Sequence, residues 1–155
     1  MGSMLIFTIH NLVYKMRKNK KIINTAIFYL IYGLTAGAFY REYTKFKGFT
    51  GLTSLAKVHP HVLVLGMLVF LIIGAYVYSN DDLIKTKSFS RFYKVYNIAL
   101  VGTSLTMFVR GLTQVNVSQL TKTTNMSISG IAGVFHVLMA VAFYFFFKSL
   151  KSIAK

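Results

Sequence analysis

The sequence predicts an all-α integral membrane protein, an up-down-up-down four-helix bundle with both termini in the cytoplasm. The hydrophobic fraction is 55% and the mean hydropathy is +0.57, and both values exceed those of a typical soluble domain. Four long runs carry no charge, and about 20 apolar residues cross a bilayer as a helix. Strands of membrane barrels are shorter and alternate polar with apolar side chains. The uncharged runs are residues 22–40, 58–80, 95–109 and 123–147.

Each run defines one predicted span, and the four are named here the first to the fourth span. They are expected at about 22–41, 54–80, 91–111 and 127–149. Short connections make residues 22–155 a single transmembrane domain.

Residues 1–21 form a separate basic N-terminal segment. Met1-Gly2-Ser3 ahead of Met4 resembles a cloning remnant, and we leave it out of the interpretation. In Leu5–Met16 the charges follow the apolar stretch, unlike those of a secretory signal. This segment is expected to be a short interfacial helix with a basic end.

In the first span, Gly33 and Gly37 form a GxxxG pair. Such a pair lets another helix approach closely. Packing within the chain is the commoner use of the pair, and a homo-oligomer formed through Gly33 and Gly37 is the alternative.

The second span contains Pro60 between two histidines, His59 and His61. The helix is expected to begin at Thr53 or Ser54, which are good N-caps, because no helix breaker precedes His59. Pro60 is then a kink inside the helix. The alternative is a start at Pro60 itself, since proline is common in the first turn.

The third and fourth spans each have a distinctive face by three-and-four spacing. On the third span this face consists of Ala99, Thr103, Thr106 and Arg110. On the fourth span it is a stripe of small residues with one histidine in its middle: Ser129, Ala132, Gly133, His136 and Ala140. The small stripe predicts a flat gap beside the histidine ring, which a macrocycle would fill.

The basic residues set the orientation. Twelve of the 18 Lys and Arg residues belong to the two termini and the middle loop, and six belong to the first and third loops. The positive-inside rule therefore places both termini and the middle loop in the cytoplasm. The net charge of +15 is explained by these flanking residues and by membrane lipid, so no nucleic-acid partner is expected. The expected location is the cell membrane, which the chain crosses several times.

The sequence contains few residues that could catalyse hydrolysis. The sequence has no cysteine and only three acids, Glu42, Asp81 and Asp82. No acid–base pair, nucleophile elbow or phosphate loop is present. A redox role remains open.

The histidines of the second and fourth spans are expected to lie at similar depth. Both spans enter from the outer side, and His136 follows Ser127 by roughly 13 Å of helix. An ionisable residue inside a membrane is a functional hypothesis by default. A lone histidine more often bonds a neighbouring backbone group, but facing histidines beside a small-residue stripe favour a ligand site. Imidazole is an axial ligand of haem iron and a common ligand of zinc and copper.

The spacing of His59 and His61 favours haem over a bare metal. Residues two apart point about 200° apart on a helix, so a compact site made by His59, His61 and His136 needs local unwinding, which Pro60 could supply. One histidine from each span, holding b-type haem between them, needs no distortion. We therefore expect His61 and His136 as axial ligands, with His59 as the substitute for His61.

Cations and one tyrosine near the outer end would suit the haem propionates, which pair with basic groups by charge-assisted hydrogen bonds. Interfacial anchoring is an equally good explanation of these residues. They are Tyr40, Arg41, Lys45, Lys57 and Arg110.

Four strings together resemble the DUF2871 family of small bacterial four-helix membrane proteins, whose function is unknown. They are residues 24–53, residues 55–72, RGLTQV at 110–115 and SISGIAGVFH at 127–136. The family usually reads H-T-H where this chain has His59-Pro60-His61. The resemblance implies a four-helix membrane fold and supplies no activity.

A looser architectural likeness is to one half of haem A synthase, whose second and fourth helices carry haem-ligating histidines near their outer ends. Fold analogy does not transfer function. The expected function is haem binding for electron transfer, haem sensing or haem handling, or gas binding with five-coordinate haem. The alternatives are a zinc or copper site at His59, His61 and His136, and a non-enzymatic membrane partner or small transporter subunit.

Overall fold

The computed structural model describes residues 2–116 and 121–154, with side chains for residues 20–116, 121 and 123–154. This part of the chain consists of helices and their connections. The helices are α1 (Gly2–Phe46), α2 (Leu55–His61), a π-helix (Val62–Leu68), α3 (Val69–Ser79), α4 (Asp82–Lys85), α5 (Lys87–Val115) and α6 (Lys122–Ile153).

Four helical stretches are long and apolar enough to cross a membrane, as expected of a multi-pass membrane protein. They are Lys20–Phe46, Leu55–Ser79, Lys87–Val115 and Thr123–Ile153. The second span consists of α2, the π-helix and α3, which follow one another without a break. The all-helical, four-span fold class is thus confirmed, whereas the side of the membrane that holds the termini stays a prediction. The side chains of Lys15, Arg17, Lys18, Lys122 and Lys155, which enter that prediction, lie outside the described residues.

The helices extend beyond the uncharged runs because charged residues end the apolar stretch without ending the helix. The backbone of the N-terminal segment continues into the first span as one helix, α1. Thr86 caps α5 by accepting a hydrogen bond from the Phe89 backbone N–H at 3.0 Å. Thr121 caps α6 in the same way, through the Thr124 N–H at 3.2 Å. Hydroxyl caps satisfy backbone donors that the first helical turn leaves free.

Adjacent spans pack against each other in chain order: α1 on the second span, the second span on α5, and α5 on α6. The two glycines of the GxxxG pair are used in the first of these interfaces. A side chain at Gly33 would meet Leu63, and one at Gly37 would meet the His59 ring. The pair therefore brings the second span close to α1 within one chain, and the homo-oligomer proposed through it stays a prediction.

The two ends of the bundle are packed differently. The half that carries the termini has a core of aromatic rings, in which Tyr29 and Phe70 stack with their ring centres 5.9 Å apart. Phe92 and Tyr96 are fully buried beside them. The half of α6 away from the termini is mostly exposed, and the fourth span is less buried within the protein than the other three. The bundle is closed at one end and open along α6 at the other.

A ladder of side-chain hydrogen bonds joins α1 to α5. Tyr29 Oη donates to Asn97 Oδ1 at 2.7 Å, and Tyr32 Oη donates to Ser104 Oγ at 2.9 Å. In a membrane such bonds are among the forces that hold helices together, because lipid does not drive apolar faces together.

We expect Tyr29→Phe to destabilise the bundle by about 1 kcal/mol, because Asn97 Oδ1 loses its donor in a buried setting. The measurement is unfolding of the purified protein in detergent, followed by circular dichroism. Tyr78→Phe is the matched control, since the Tyr78 side chain is 57% exposed. Equal stability of the two variants would contradict the role given to the ladder.

Candidate functional site

The candidate site begins where the second span enters the bundle. Its helix starts at Leu55, so Pro60 and both neighbouring histidines lie inside it. Thr53 and Ser54 anchor this start to the end of α5. Thr53 Oγ1 donates to the Gly111 carbonyl at 3.0 Å, and the Ser54 N–H donates to Gln114 Oε1 at 2.7 Å.

Directly after His61 the helix widens into a π-helix over Val62–Leu68. Proline lacks a backbone N–H and crowds the carbonyl four residues earlier, and π-turns arise where the regular ladder is disturbed. Buried positions here follow each other at intervals of four: Val58, Val62, Gly66 and Phe70. The wider turn keeps such a row on one face. The π-helix lies on the C-terminal side of Pro60, beyond both histidines, which belong to the regular α-helix α2.

His59 is directed toward α1. A Cβ atom placed on Gly37 would lie 3.4 Å from His59 Cγ, which is tight van der Waals contact. Within the described residues, Nδ1 of His59 is buried and has no hydrogen-bond partner. Because His61 lies about 200° around the helix, it points away from α1. Of the two candidates, His59 is thus the one held in the interface between the first and second spans.

His61 and His136 share one local arrangement. Nδ1 of His61 lies 2.9 Å from the Lys57 carbonyl oxygen, and Nδ1 of His136 lies 2.7 Å from the Ala132 carbonyl oxygen. Each carbonyl belongs to the residue four positions earlier and can only accept a hydrogen bond, so each Nδ1 must carry the proton. In a neutral ring the lone pair is then on Nε2. A carbonyl that fixes the tautomer in this way is the usual support of a metal-ligating histidine.

The two histidines lie at similar depth. Both spans pack on α5, so the position along α5 gives the depth of residues on each span. Thr53 hydrogen-bonds to the Gly111 carbonyl, and the Leu65 carbonyl accepts a hydrogen bond from Tyr96 Oη. His61 lies between Thr53 and Leu65 in the chain, and therefore at a depth between those of Gly111 and Tyr96 on α5. At a level between these two, a side chain at Gly102 of α5 would overlap the ring of Phe135, the neighbour of His136.

The stripe of small residues on α6 is open. Built Cβ atoms at Gly130 and Gly133 would have no neighbour within 4 Å among the described residues, and the His136 side chain is exposed. The face of α6 that packs on α5 is the neighbouring one, where Met139 and Ala142 are buried. The surface of α6 beside His136 is therefore uncovered among the described residues, and the ligand gap stays a prediction.

The described residues contain no cluster of three or more histidine, cysteine or acidic side chains that would hold a metal ion. The compact zinc or copper site expected from His59, His61 and His136 is therefore not assembled, because His59 is turned to α1. His61 and His136 lie on two spans that each pack on α5 but do not pack extensively on each other in the described part of the chain.

Basic residues surround the end of the bundle opposite the termini, which is the predicted outer end. Arg110 is held by α6, donating to Asn125 Oδ1 at 3.0 Å and Ser129 Oγ at 2.6 Å. Arg41 Nε lies 3.4 Å from Glu42 Oε1, and both side chains are mostly exposed. An exposed ion pair contributes little to stability. Lys45 and Lys57 are exposed, and Tyr40 is half-buried.

Two features were missed by the sequence reasoning. One is the hydroxyl of Thr103, which is buried without a partner among the described residues. The other is a basic cleft beside Lys21 and Lys94 at the end that carries the termini. Their signal is weak in the sequence, because single Thr residues within spans and Lys residues near span ends are common.

A family model described as a protein of unknown function, DUF2871, matches residues 19–153. The chain belongs to the DUF2871 family. The match covers all four spans of this DUF2871 protein, including every candidate site residue, and confirms the resemblance drawn from the sequence. No curated protein and no solved structure matches the DUF2871 chain, so the likeness to haem A synthase is not confirmed.

Proposed function

We propose that the protein is an integral membrane haem-binding protein in which His61 and His136 are the axial ligands of a b-type haem. The observation that carries the proposal is the shared arrangement of the two rings. Each Nδ1 faces the carbonyl four residues earlier, and in the neutral ring each Nε2 carries the lone pair. Two such rings at similar depth would supply the pair of axial ligands that haem iron takes.

The number of ligands favours haem over a bare ion. Zinc commonly takes four protein ligands in a structural site and three in a catalytic site. In haem the porphyrin supplies the equatorial nitrogens, so the protein supplies one or two axial ligands. The described residues offer two suitable rings and no larger cluster.

Space and charge support the same assignment. The open stripe at Gly130 and Gly133 offers a flat apolar surface next to His136. Arg41, Lys45 and Lys57 are exposed at the outer end and would pair with the propionates. Tyr40 and Arg110 would complete this rim, with Arg110 already oriented by α6.

Bound haem would supply one-electron chemistry or a site for a gas molecule. The protein's own part is to hold the two rings in the ligating tautomer and to surround the group with apolar side chains. Electron transfer, haem sensing and haem handling are all compatible with this role.

The test is a titration of the detergent-purified chain with haemin, followed by its absorption spectrum. We expect a saturable Soret band at one haem per chain, with the six-coordinate low-spin spectrum of two histidine ligands. A five-coordinate spectrum would leave one histidine as ligand and favour gas binding. No Soret change at any haemin concentration would overturn the proposal.

Metal analysis of the same samples separates the alternatives. One zinc or copper per chain without haem binding would favour metal handling by the histidines. If the chain bound neither haem nor metal, the remaining interpretation would be a non-enzymatic membrane partner or small transporter subunit. The histidine rings would then be structural hydrogen-bonding groups.

A further inference from the structure

A second candidate site lies at the opposite end of the bundle, independent of the histidines. A cavity of about 200 Å³ opens between the start of the first span, α4 and the start of α5. Its wall includes Lys21, Ile84, Phe89, Ser90, Tyr93 and Lys94. Lys21 and Tyr93 also border a wider groove that continues between α1 and α5 along Asn24, Phe28 and Asn97. We call the cavity and this groove the basic cleft.

The lysines of the basic cleft have no carboxylate partner among the residues that the structure describes. The sequence has three acids, and Glu42 lies at the other end beside Arg41. The remaining two contact Lys85, whose Nζ lies 2.7 Å from Asp82 and 3.2 Å from Asp81. The Asp82 and Asp81 carboxylates raise the pKa of Lys85. Within the described residues, neither Lys21 nor Lys94 is in an ion pair with a carboxylate.

The Lys21 side chain is held in place while its charge stays available. Its Nζ lies 4.1 Å from the centre of the Tyr93 ring, a cation–π distance. The Tyr93 hydroxyl lies 2.6 Å from Thr25 Oγ1, which fixes the ring under the ammonium group. The three N–H donors of Lys21 are thereby positioned, together with Lys94 and the Ser90 hydroxyl, around one small space.

The walls of the cleft are apolar on the membrane side. Phe28 is 56% exposed in the groove, and Ile31, one turn further along α1, is 60% exposed. A ligand that fits has an anionic head at the lysines and a hydrocarbon tail along α1. Basic pockets between spans are general binding sites for anionic lipid head groups.

We infer that the basic cleft binds the phosphate group of an anionic phospholipid, with Lys21 and Lys94 on the phosphate and the acyl chains along Phe28 and Ile31. Ser90 is placed to donate a hydrogen bond to a phosphate oxygen. The site would make the chain sensitive to the lipid composition of the leaflet that faces its termini.

The experiment is native mass spectrometry of the full chain in a neutral detergent, titrated with phosphatidylglycerol or phosphatidylcholine of the same acyl chains. We expect one phosphatidylglycerol to bind roughly 30-fold more tightly than phosphatidylcholine, because the choline group cancels the phosphate charge and each lysine near a net anionic head group contributes about five-fold. The double variant Lys21→Gln/Lys94→Gln should lose this preference. The variant Lys21→Arg/Lys94→Arg should keep it.

The matched control is Lys148→Gln/Lys151→Gln, which removes the same charge from exposed positions of α6. An equal loss of preference in this control would overturn the site, because the effect would then come from overall charge. A competition with inorganic phosphate tests the source of the phosphate group. Displacement of the lipid at millimolar phosphate would overturn the assignment to a lipid, since an acyl chain would then add nothing to binding.

Discussion

Replacing either His61 or His136 by alanine is expected to remove the low-spin haem spectrum and to lower haem affinity by more than about 100-fold. Removing a group that only hydrogen-bonds to a metal ligand already lowers metal affinity or activity by 10- to 100-fold. Removing the ligand itself lowers the affinity further. The measurement is the haemin titration described above, performed on each variant. His59→Ala is the matched control, because that ring packs against Gly37 on α1 and is expected to leave the spectrum unchanged.

Added imidazole distinguishes a lost ligand from a lost fold. The space beside His136 is open, so free imidazole should enter it in His136→Ala and restore the six-coordinate spectrum. A variant that binds haem normally without either histidine would contradict the proposed ligands. Loss of the spectrum in His59→Ala, with His61→Ala unaffected, would transfer the role to His59.

The second large effect is expected at Gly111, where leucine should destabilise the protein by about 3 kcal/mol. A Cβ atom at this position would collide with the backbone nitrogen of Leu55. Backbone cannot rotate away as a side chain can, so the second span would have to shift from α5, at an overpacking cost of typically 1–3 kcal/mol. The shift would also break the Thr53 bond to the Gly111 carbonyl.

The measurement is unfolding in detergent, with Gly133→Leu as the matched control. Gly133 has no described neighbour within 4 Å of a built Cβ, so this variant should retain the stability of the unmodified chain. It should nevertheless lose haem binding, because the leucine would occupy the gap beside His136. Equal destabilisation of both variants would show that the outer half of α6 is packed and would contradict the open stripe.

Much of the architecture could be predicted because hydropathy is a property of consecutive residues. Four uncharged runs are enough to count the spans, and Thr53 and Ser54 mark the start of the second span without reference to any partner helix. The similar depth of His61 and His136 follows from the same counting, at 1.5 Å per residue.

The directions of the side chains could not be predicted in this way. Pro60 is followed by a π-helix, whose wider turn changes the angle between successive residues and so invalidates a projection at 3.6 residues per turn. The sequence also could not predict which helix packs against Gly33 and Gly37. A GxxxG pair allows close packing of a helix from the same chain or from another copy. The structure places both against the second span.

By itself the sequence determined the membrane class, the number of spans and the placement of histidines in the second and fourth spans. Only the tertiary structure decided that His59 faces Gly37, that the rings of His61 and His136 are held by backbone carbonyls, and that α6 leaves its small stripe open. The physical reason is that a span needs only local apolarity. The rotation of each helix is set by packing with its neighbours, which involves residues far apart in the chain.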